Sequence, residues 1–157
     1  MRLRTAEISD AEAIAAIWNR EIRDGVSTFT TVEKTTEAVC VTLEEAVFLV
    51  AEQNGQVVGF ATYGPFRAGP GYLRTVEHTV YLAEAVRGQG MGRALLAALE
   101  LAAKAAGYHV MVAGVGGENT GGIDFHKRMG FEEVGRLPEV GRKFDRWMDL
   151  VLLQKML

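Results

Sequence analysis

The sequence predicts an α/β fold of the α+β type, with a mixed central β-sheet flanked by helices. Three observations carry this. Asn54-Gly55 joins two β-rich runs, a strong signal for a tight antiparallel hairpin. A strand at 74–82 leads into Arg87-Gly88-Gln89-Gly90-Met91-Gly92 and then a long helix-forming run. Two further β-rich segments close the chain, so strands stand on both sides of the helices in sequence and one sheet must mix directions. The 157 residues are enough for one domain spanning 1–157, with a real core and little room for a second.

The elements follow in order. Arg2–Glu7 alternates weakly and reads as a strand. Ser9 and Glu12 match a capping box ahead of a helix whose apolar face is Ala13, Ile14, Ile17, Trp18 and Ile22. Residues 25–35 are rich in Thr and small polar groups and read as a loop. Thr36–Glu45 is either a short helix or irregular, since Val39 and Val41 weaken a helix. Ala46–Gln53 and Gln56–Tyr63 form the hairpin, Gly64–Gly71 a loop, and Arg74–Leu82 the next strand. Arg93–Ala106 is a helix stopped by Gly107. Tyr108–Val115, apolar on both faces, is a buried strand. Gly121–Met129 is a short helix ending at Gly130, and Phe131–Leu137 and Arg146–Gln154 are closing strands.

Bulk properties exclude several functions. Net charge is −3 and no Lys/Arg block appears, which argues against a nucleic-acid partner. No apolar run is long enough to span a bilayer, and none follows the N-terminal arginines as in a signal peptide. The single cysteine, Cys40, has no intrachain partner, so a reducing, cytoplasmic location is expected. Three scattered histidines and that cysteine show no metal-site spacing, so no metal is expected.

The glycine-rich turn carries the chemistry. The first N–H groups of a helix lack intrahelical acceptors, and the helix dipole adds partial positive charge there. Glycines at 88, 90 and 92 let backbone approach phosphate oxygens, and Arg87 and Arg93 add cationic donors. A diphosphate is the natural guest. A P-loop fails because Gly92 is followed by Arg93-Ala94 rather than Lys-Ser/Thr. A dinucleotide fingerprint fails because Arg93 takes the third glycine's place. A glycine-rich turn with no ligand remains the plain alternative.

Arg87, Gly90 and Gly92 match R/Q-x-x-G-x-G/A, and with them the chain resembles the GNAT acetyltransferase superfamily. The blocks Thr75–Leu82, His109–Gly114 and Gly135–Leu150 are similar to its phosphinothricin and methionine sulfoximine N-acetyltransferase branch, in the same order and over nearly the whole chain. The resemblance implies splayed middle strands with acetyl-CoA in the gap. Its pantetheine arm would pair with Val80–Leu82, and its pyrophosphate would rest on Val86–Gly92. The Leu82 N–H would polarise the thioester carbonyl, and Asn119 would contact the cofactor arm. The branch also implies a homodimer.

An ammonium substrate must lose a proton before it attacks, so a base is required. A mid-strand Glu is ordinarily a surface charge, but the place of Glu77 in the Thr-Val-Glu-His block makes it the candidate general base. His78, its neighbour, should point to the opposite face and serve a structural role. His126 stands seven residues after Asn119, where many relatives place an acid tyrosine; the branch has histidine there, so His126 is the candidate acid. His109 reads as a packed or edge residue, and Cys40 lacks an adjacent base.

An amino-acid carboxylate would need a cation, for which Arg67 and Arg74 are candidates beside Tyr72. Phe29, Phe66, Tyr72 and Trp18 are candidate apolar walls, and Phe144 and Trp147 candidate core or dimer contacts. Arg74 stands next to, not on, the relatives' arginine position, and Asp145 replaces their usual glycine. The expected activity is transfer of an acetyl group to the α-amino group of a small L-amino acid or analogue such as methionine sulfoximine, methionine sulfone or phosphinothricin. The rivals are a polyamine, aminoglycoside or protein N-terminus as acceptor, and a catalytically silent acyl-CoA-binding module.

Overall fold

A computed structural model describes residues 1–157. Seven strands form one sheet in the order β1-β2-β3-β4-β5-β7-β6. They are β1 (Arg2–Thr5), β2 (Phe48–Gln53), β3 (Gln56–Pro65), β4 (Thr75–Leu82), β5 (Val110–Gly116), β6 (Glu132–Lys143) and β7 (Arg146–Met156). The helices are α1 (Ala11–Asp24), α2 (Thr36–Glu45), α3 (Met91–Ala105) and α4 (Thr120–Arg128). All pairings are antiparallel except β4–β5, so the sheet is mixed as predicted.

Local chemistry explains most boundaries. Asn54 and Gly55 both take positive φ (52° and 77°), as a type I′ turn requires. Thr35 settles the ambiguous 36–45 segment: its hydroxyl accepts from the Ala38 N–H at 3.1 Å and caps α2, while Val39 is buried. The expected Ser9/Glu12 capping box does not form. Asp10 takes that place, accepting from the Glu7 N–H at 2.7 Å and pairing with Arg4, because a 3-10 turn at Ile8–Asp10 carries the chain into α1. β6 runs on to Lys143 rather than stopping at Leu137. It is an edge strand, and an irregularity between Leu137 and Gly141 absorbs Pro138 and the left-handed Glu139 (φ 56°). The β6–β7 hairpin turns on Phe144 and Asp145, both with positive φ (53° and 58°). A left-handed turn position is where a glycine is at ease, and aspartate tolerates it.

The sheet separates two cores. α3 and α4 cover one face, where Leu95, Leu96 and Leu99 are fully buried against Met111 and Leu153. Each such leucine contributes roughly 1.5–3 kcal/mol of burial. α1 and α2 cover the other, around Ile14, Phe48 and Phe60. Trp18 packs there on Phe60, ring centroids 5.0 Å apart.

Between these layers the sheet comes apart. β4 and β5 pair only at Thr75–Val110, Val76–Met111 and Glu77–Val112. β4 then continues to Leu82 along β3, and β5 to Gly116 along β7. A wedge is left open in the middle of the sheet.

Candidate active site

The wedge opens into a cleft of about 1160 Å³. It is lined by Glu77–Leu82 of β4, Ala113–Val115 of β5, parts of the glycine loop and α4, and Gly25–Phe29 after α1. On the β4 side the lining is backbone as much as side chain. The Ala83 N–H donates to Val58 O at 2.8 Å. Backbone groups alternate sides along an extended strand, so those of Val80 and Leu82 face away from β3 into the gap.

At the cleft's edge the glycine loop presents a bare surface. Gly88 and Gly90 adopt positive φ (75° and 83°), and nothing lies within 4 Å of where a Cβ would stand on either. Gly90 caps α3, leaving the N–H groups of Met91, Gly92 and Arg93 in its first turn. The Met91 side chain is buried in the core, so only its backbone serves the loop. The loop's side chains are less free than expected. Arg87 forms an ion pair with Glu21 of α1, and the Gln89 amide donates to Ala85 O at 3.2 Å. Arg93 is exposed outside the cleft lining. Backbone N–H groups are therefore the free donors of this loop.

Glu77 and His78 both line the cleft, against the expectation that adjacent strand residues could not share it without a bulge. β4 has no bulge; the cleft passes through the split sheet and meets both faces. On one face, Glu77 lies over β5, where a Cβ on Gly114 would come within 2.9 Å of its Oε1. Its outer edge is open to water, yet the protein packed about its carboxyl raises its pKa.

On the other face, the buried His78 ring places Nδ1 3.2 Å from Val112 O and Nε2 2.9 Å from Nε2 of His126. His126 Nδ1 lies 2.7 Å from Gly122 O. A carbonyl only accepts, so the Gly122 and Val112 contacts each call for Nδ1–H, and two neutral rings so arranged have no proton left for a hydrogen bond between their facing Nε2 atoms. Burial lowers the pKa of both rings, His78 to about 3, and the neighbouring His126 pushes His78 the same way. Both rings are neutral near pH 7. His78 is buried on the face opposite Glu77, as expected, and there it contacts the candidate acid.

Asn119 caps α4, its Oδ1 accepting from the Gly122 N–H at 2.9 Å while Nδ2 donates to Ser27 Oγ at 3.2 Å. It lines the cleft with both ends of its amide engaged. Across from α4, residues 25–29 form a strap over the ends of β5 and β6. Tyr81 stands beside it, its phenol pKa raised by burial and by Glu21, with Thr28 opposing.

Residues 3–152 match the family described as the acetyltransferase (GNAT) domain. The chain belongs to the GNAT family. It is 36% identical to an L-methionine sulfoximine/L-methionine sulfone acetyltransferase of Pseudomonas aeruginosa, covering 97% of this chain and 92% of that protein. Among solved structures it superposes on a ribosomal-protein-alanine N-acetyltransferase from Brucella melitensis with TM-score 0.97 and 40% identity over the whole of both chains. It superposes equally, TM-score 0.97 and 36% identity, on yncA of Salmonella typhimurium solved with its cofactor acetyl-CoA, covering all of this chain and 94% of that one. The splayed strands that the GNAT resemblance implied are present.

Other expectations fare differently in this GNAT chain. Arg67, Tyr72 and Arg74 do not line the cleft, whose wall stops at Gly64 and Pro65. Arg67 stacks over Tyr72, 5.4 Å from its ring centre, and Phe66 packs edge-on against the same ring. Arg74 turns the other way and donates to Gly107 O at 3.3 Å, closing the end of α3. Of the apolar wall candidates only Phe29 reaches the cleft; Trp18 is in the α1–α2 core. Phe144, Trp147 and His109 are exposed. No group of three or more His, Cys, Asp or Glu side chains is placed to hold a metal. Sequence reasoning missed Glu21, Tyr81 and Lys143. Glu21 had a signal, an acidic residue between Ile17 and Ile22 on the helix's apolar face. Lys143, beside a turn, had none.

Proposed function

We propose that this enzyme transfers the acetyl group of acetyl-CoA to the α-amino group of a small L-amino acid or analogue, such as methionine sulfoximine, methionine sulfone or phosphinothricin. The observation that carries this is the wedge between β4 and β5. Its free backbone groups at Val80 and Leu82 run toward a bare glycine loop, and Glu77 opens onto the opposite side. Those features fit a pantetheine arm and a pyrophosphate: an extended chain for the strand edge, and an anion for the N–H groups of Gly88–Arg93. Bound there, acetyl-CoA would supply an activated acetyl thioester.

The chain's residues then divide the work. Glu77, with its raised pKa, takes the proton the amine gives up, directly or through water. The Leu82 N–H, facing the gap, would polarise the thioester carbonyl, where negative charge develops. When the thiolate leaves it would take up a proton, and His126, neutral beforehand, is the proposed acid in the sense that it would relay that proton from solvent through Nε2. Asn119 holds the α4 end of the cofactor groove. Direct attack needs no enzyme nucleophile, and positioning of amine against thioester contributes much of the rate.

At the rim, Arg67 and Tyr72 are proposed to meet the acceptor's carboxylate as it enters past Pro65. We assign the active form as a homodimer, because the edge strand β6 exposes Val134, Leu137 and Val140, with Trp147 beside them. Size-exclusion chromatography with light scattering tests this. A cytoplasmic setting is proposed from the free thiol Cys40; no helix is long and apolar enough to cross a membrane.

The likeness to a ribosomal-protein-alanine N-acetyltransferase favours a second reading, with a peptide N-terminus as acceptor. Thiol release from acetyl-CoA, measured with the three amino-acid analogues, spermidine, an aminoglycoside and an alanine-starting peptide, separates the readings. Turnover with the analogues alone supports the first. Turnover with the peptide alone replaces it with the second. Binding of acetyl-CoA with no turnover would leave a silent binding module.

A further inference from the structure

Lys143 is the last residue of β6 and only 3% exposed, rare for a lysine. Its ammonium makes three hydrogen bonds, all to backbone carbonyls far back in the chain: Gly25 O at 2.7 Å, Thr28 O at 2.9 Å and Glu21 O at 3.2 Å. An ammonium has three donors, so none is left over. Glu21 O lies in the last turn of α1, where the helix dipole favours a cation, and it also accepts from the Gly25 N–H. Gly25 and Thr28 belong to the strap, which lines the cleft on the Glu77 and Tyr81 side.

The strap is short of other anchors. Among its own backbone N–H groups, only that of Gly25 finds a backbone acceptor. Asn119 holds Ser27, and Phe29 sits in space left by the missing side chains of Gly116 and Gly141. Lys143 alone reaches both ends, tying α1 to Thr28 across the strap. Burial disfavours its charge and lowers its pKa, an effect that Glu21 and Asp24 only partly offset.

We propose that Lys143 is a positioning residue of the acceptor pocket: its ammonium fixes the Gly25–Phe29 strap against the sheet and so shapes the wall that the incoming amine meets. This rests on the reading above that the strap side is the acceptor side. Lys143 does not line the cleft, so its effect should fall on amine binding and strap order, and not on the chemistry or on cofactor affinity.

The test compares Lys143→Met, which keeps most of the stem and removes the donors, with Lys143→Arg, which restores charge and donors. Lys143→Gln serves if the methionine variant does not fold. Backbone order parameters of Val26–Phe29 should drop from about 0.85 in the wild type to below about 0.6 in Lys143→Met. KM for the amine should rise at least about tenfold, equivalent to 1.4 kcal/mol or more, while kcat and the calorimetric Kd for acetyl-CoA stay within about twofold. Lys143→Arg should recover part of both losses. An unchanged strap overturns the inference whatever the acceptor is. A loosened strap with unchanged amine KM overturns the positioning role and leaves the proposed activity standing. If the wild type turns over no amine, the proposed activity fails and the pocket-shaping half of this inference fails with it.

Discussion

His78 and His126 meet Nε2 to Nε2 at 2.9 Å, although 48 residues separate them in sequence. The split sheet makes this possible, because His78 lies on the α4 face where β5 has begun to diverge from β4. The contact has a measurable consequence for stability. Both rings have pKa values below the unfolded histidine value, so below about pH 6.5 the unfolded chain takes up protons that the folded one refuses. Stability should therefore be full at neutral pH and fall on acidification, continuing toward the folded value of about 3 for His78. The slope approaches about 1.4 kcal/mol per pH unit for each such ring. Urea unfolding at pH 7, 6 and 5 measures it. His78→Gln should flatten the dependence by close to one proton, and an unaltered slope would mean His78 is not buried neutral. His126→Phe should also lower kcat by about 10-fold or more if His126 supplies the acid.

Glu77 offers a separate handle on the pH profile. Burial raises its pKa, so the base form appears at higher pH than for an ordinary glutamate, and kcat/KM should climb through that raised value. Glu77→Gln should cost about 100-fold or more in kcat, the usual worth of a positioned base. Because free amine accumulates as pH rises, the variant should regain part of its rate in alkaline solution. Parallel pH profiles for variant and wild type would remove Glu77 from the mechanism.

What could be read from the sequence was what depends on neighbours in the chain. Asn54-Gly55 specifies its turn by φ alone, and the glycine loop and α3 form one contiguous signal. Where two local signals competed, the neighbour decided. Asp10 displaced Ser9 as helix start because Arg4, on β1, was there to pair with it. The site was legible only as far as one strand and one loop. Glu77 and Leu82 could be placed, but the approach of His126 to His78 depends on where β4 and β5 part, which neither segment encodes alone. Arg67 and Arg74 looked equivalent by charge. The structure separates them because Arg74 precedes β4 directly and finds a carbonyl at the end of α3, while Arg67 stays on the loop with Tyr72. The burial of Lys143 requires three carbonyls more than a hundred residues away, and no local pattern announces it.

Gly90 should be needed for its conformation more than for its small volume. Its φ of 83° is in the left-handed region, and open space surrounds the missing Cβ. A β-branched residue there is strained by at least about 1–2 kcal/mol and would turn the α3 N-terminal N–H groups away from the loop. Gly90→Val is expected to keep the melting temperature within a few degrees while weakening acetyl-CoA binding by about tenfold or more. Calorimetry reporting unchanged affinity would exclude the loop as the pyrophosphate seat.

Gly116 tests the strap from the opposite side to Lys143. A Cβ built there would collide with the Val26 carbonyl oxygen and lie 3.3 Å from the Phe29 ring, both of which belong to the strap. The nearest neighbour is the Val26 backbone, which cannot swing aside as the end of a flexible side chain can, so Gly116→Ala should cost about 1–3 kcal/mol, as overpacking does. The displaced part is the acceptor wall, so amine KM should rise while the Kd for acetyl-CoA holds. Gly135→Ala on β6, where nothing lies within 4 Å of the added carbon, is the matching control and should leave both constants unchanged. If Gly116→Ala instead weakened acetyl-CoA and spared the amine, the strap would belong to the cofactor half of the cleft, and the assignment of its two sides would have to be reversed.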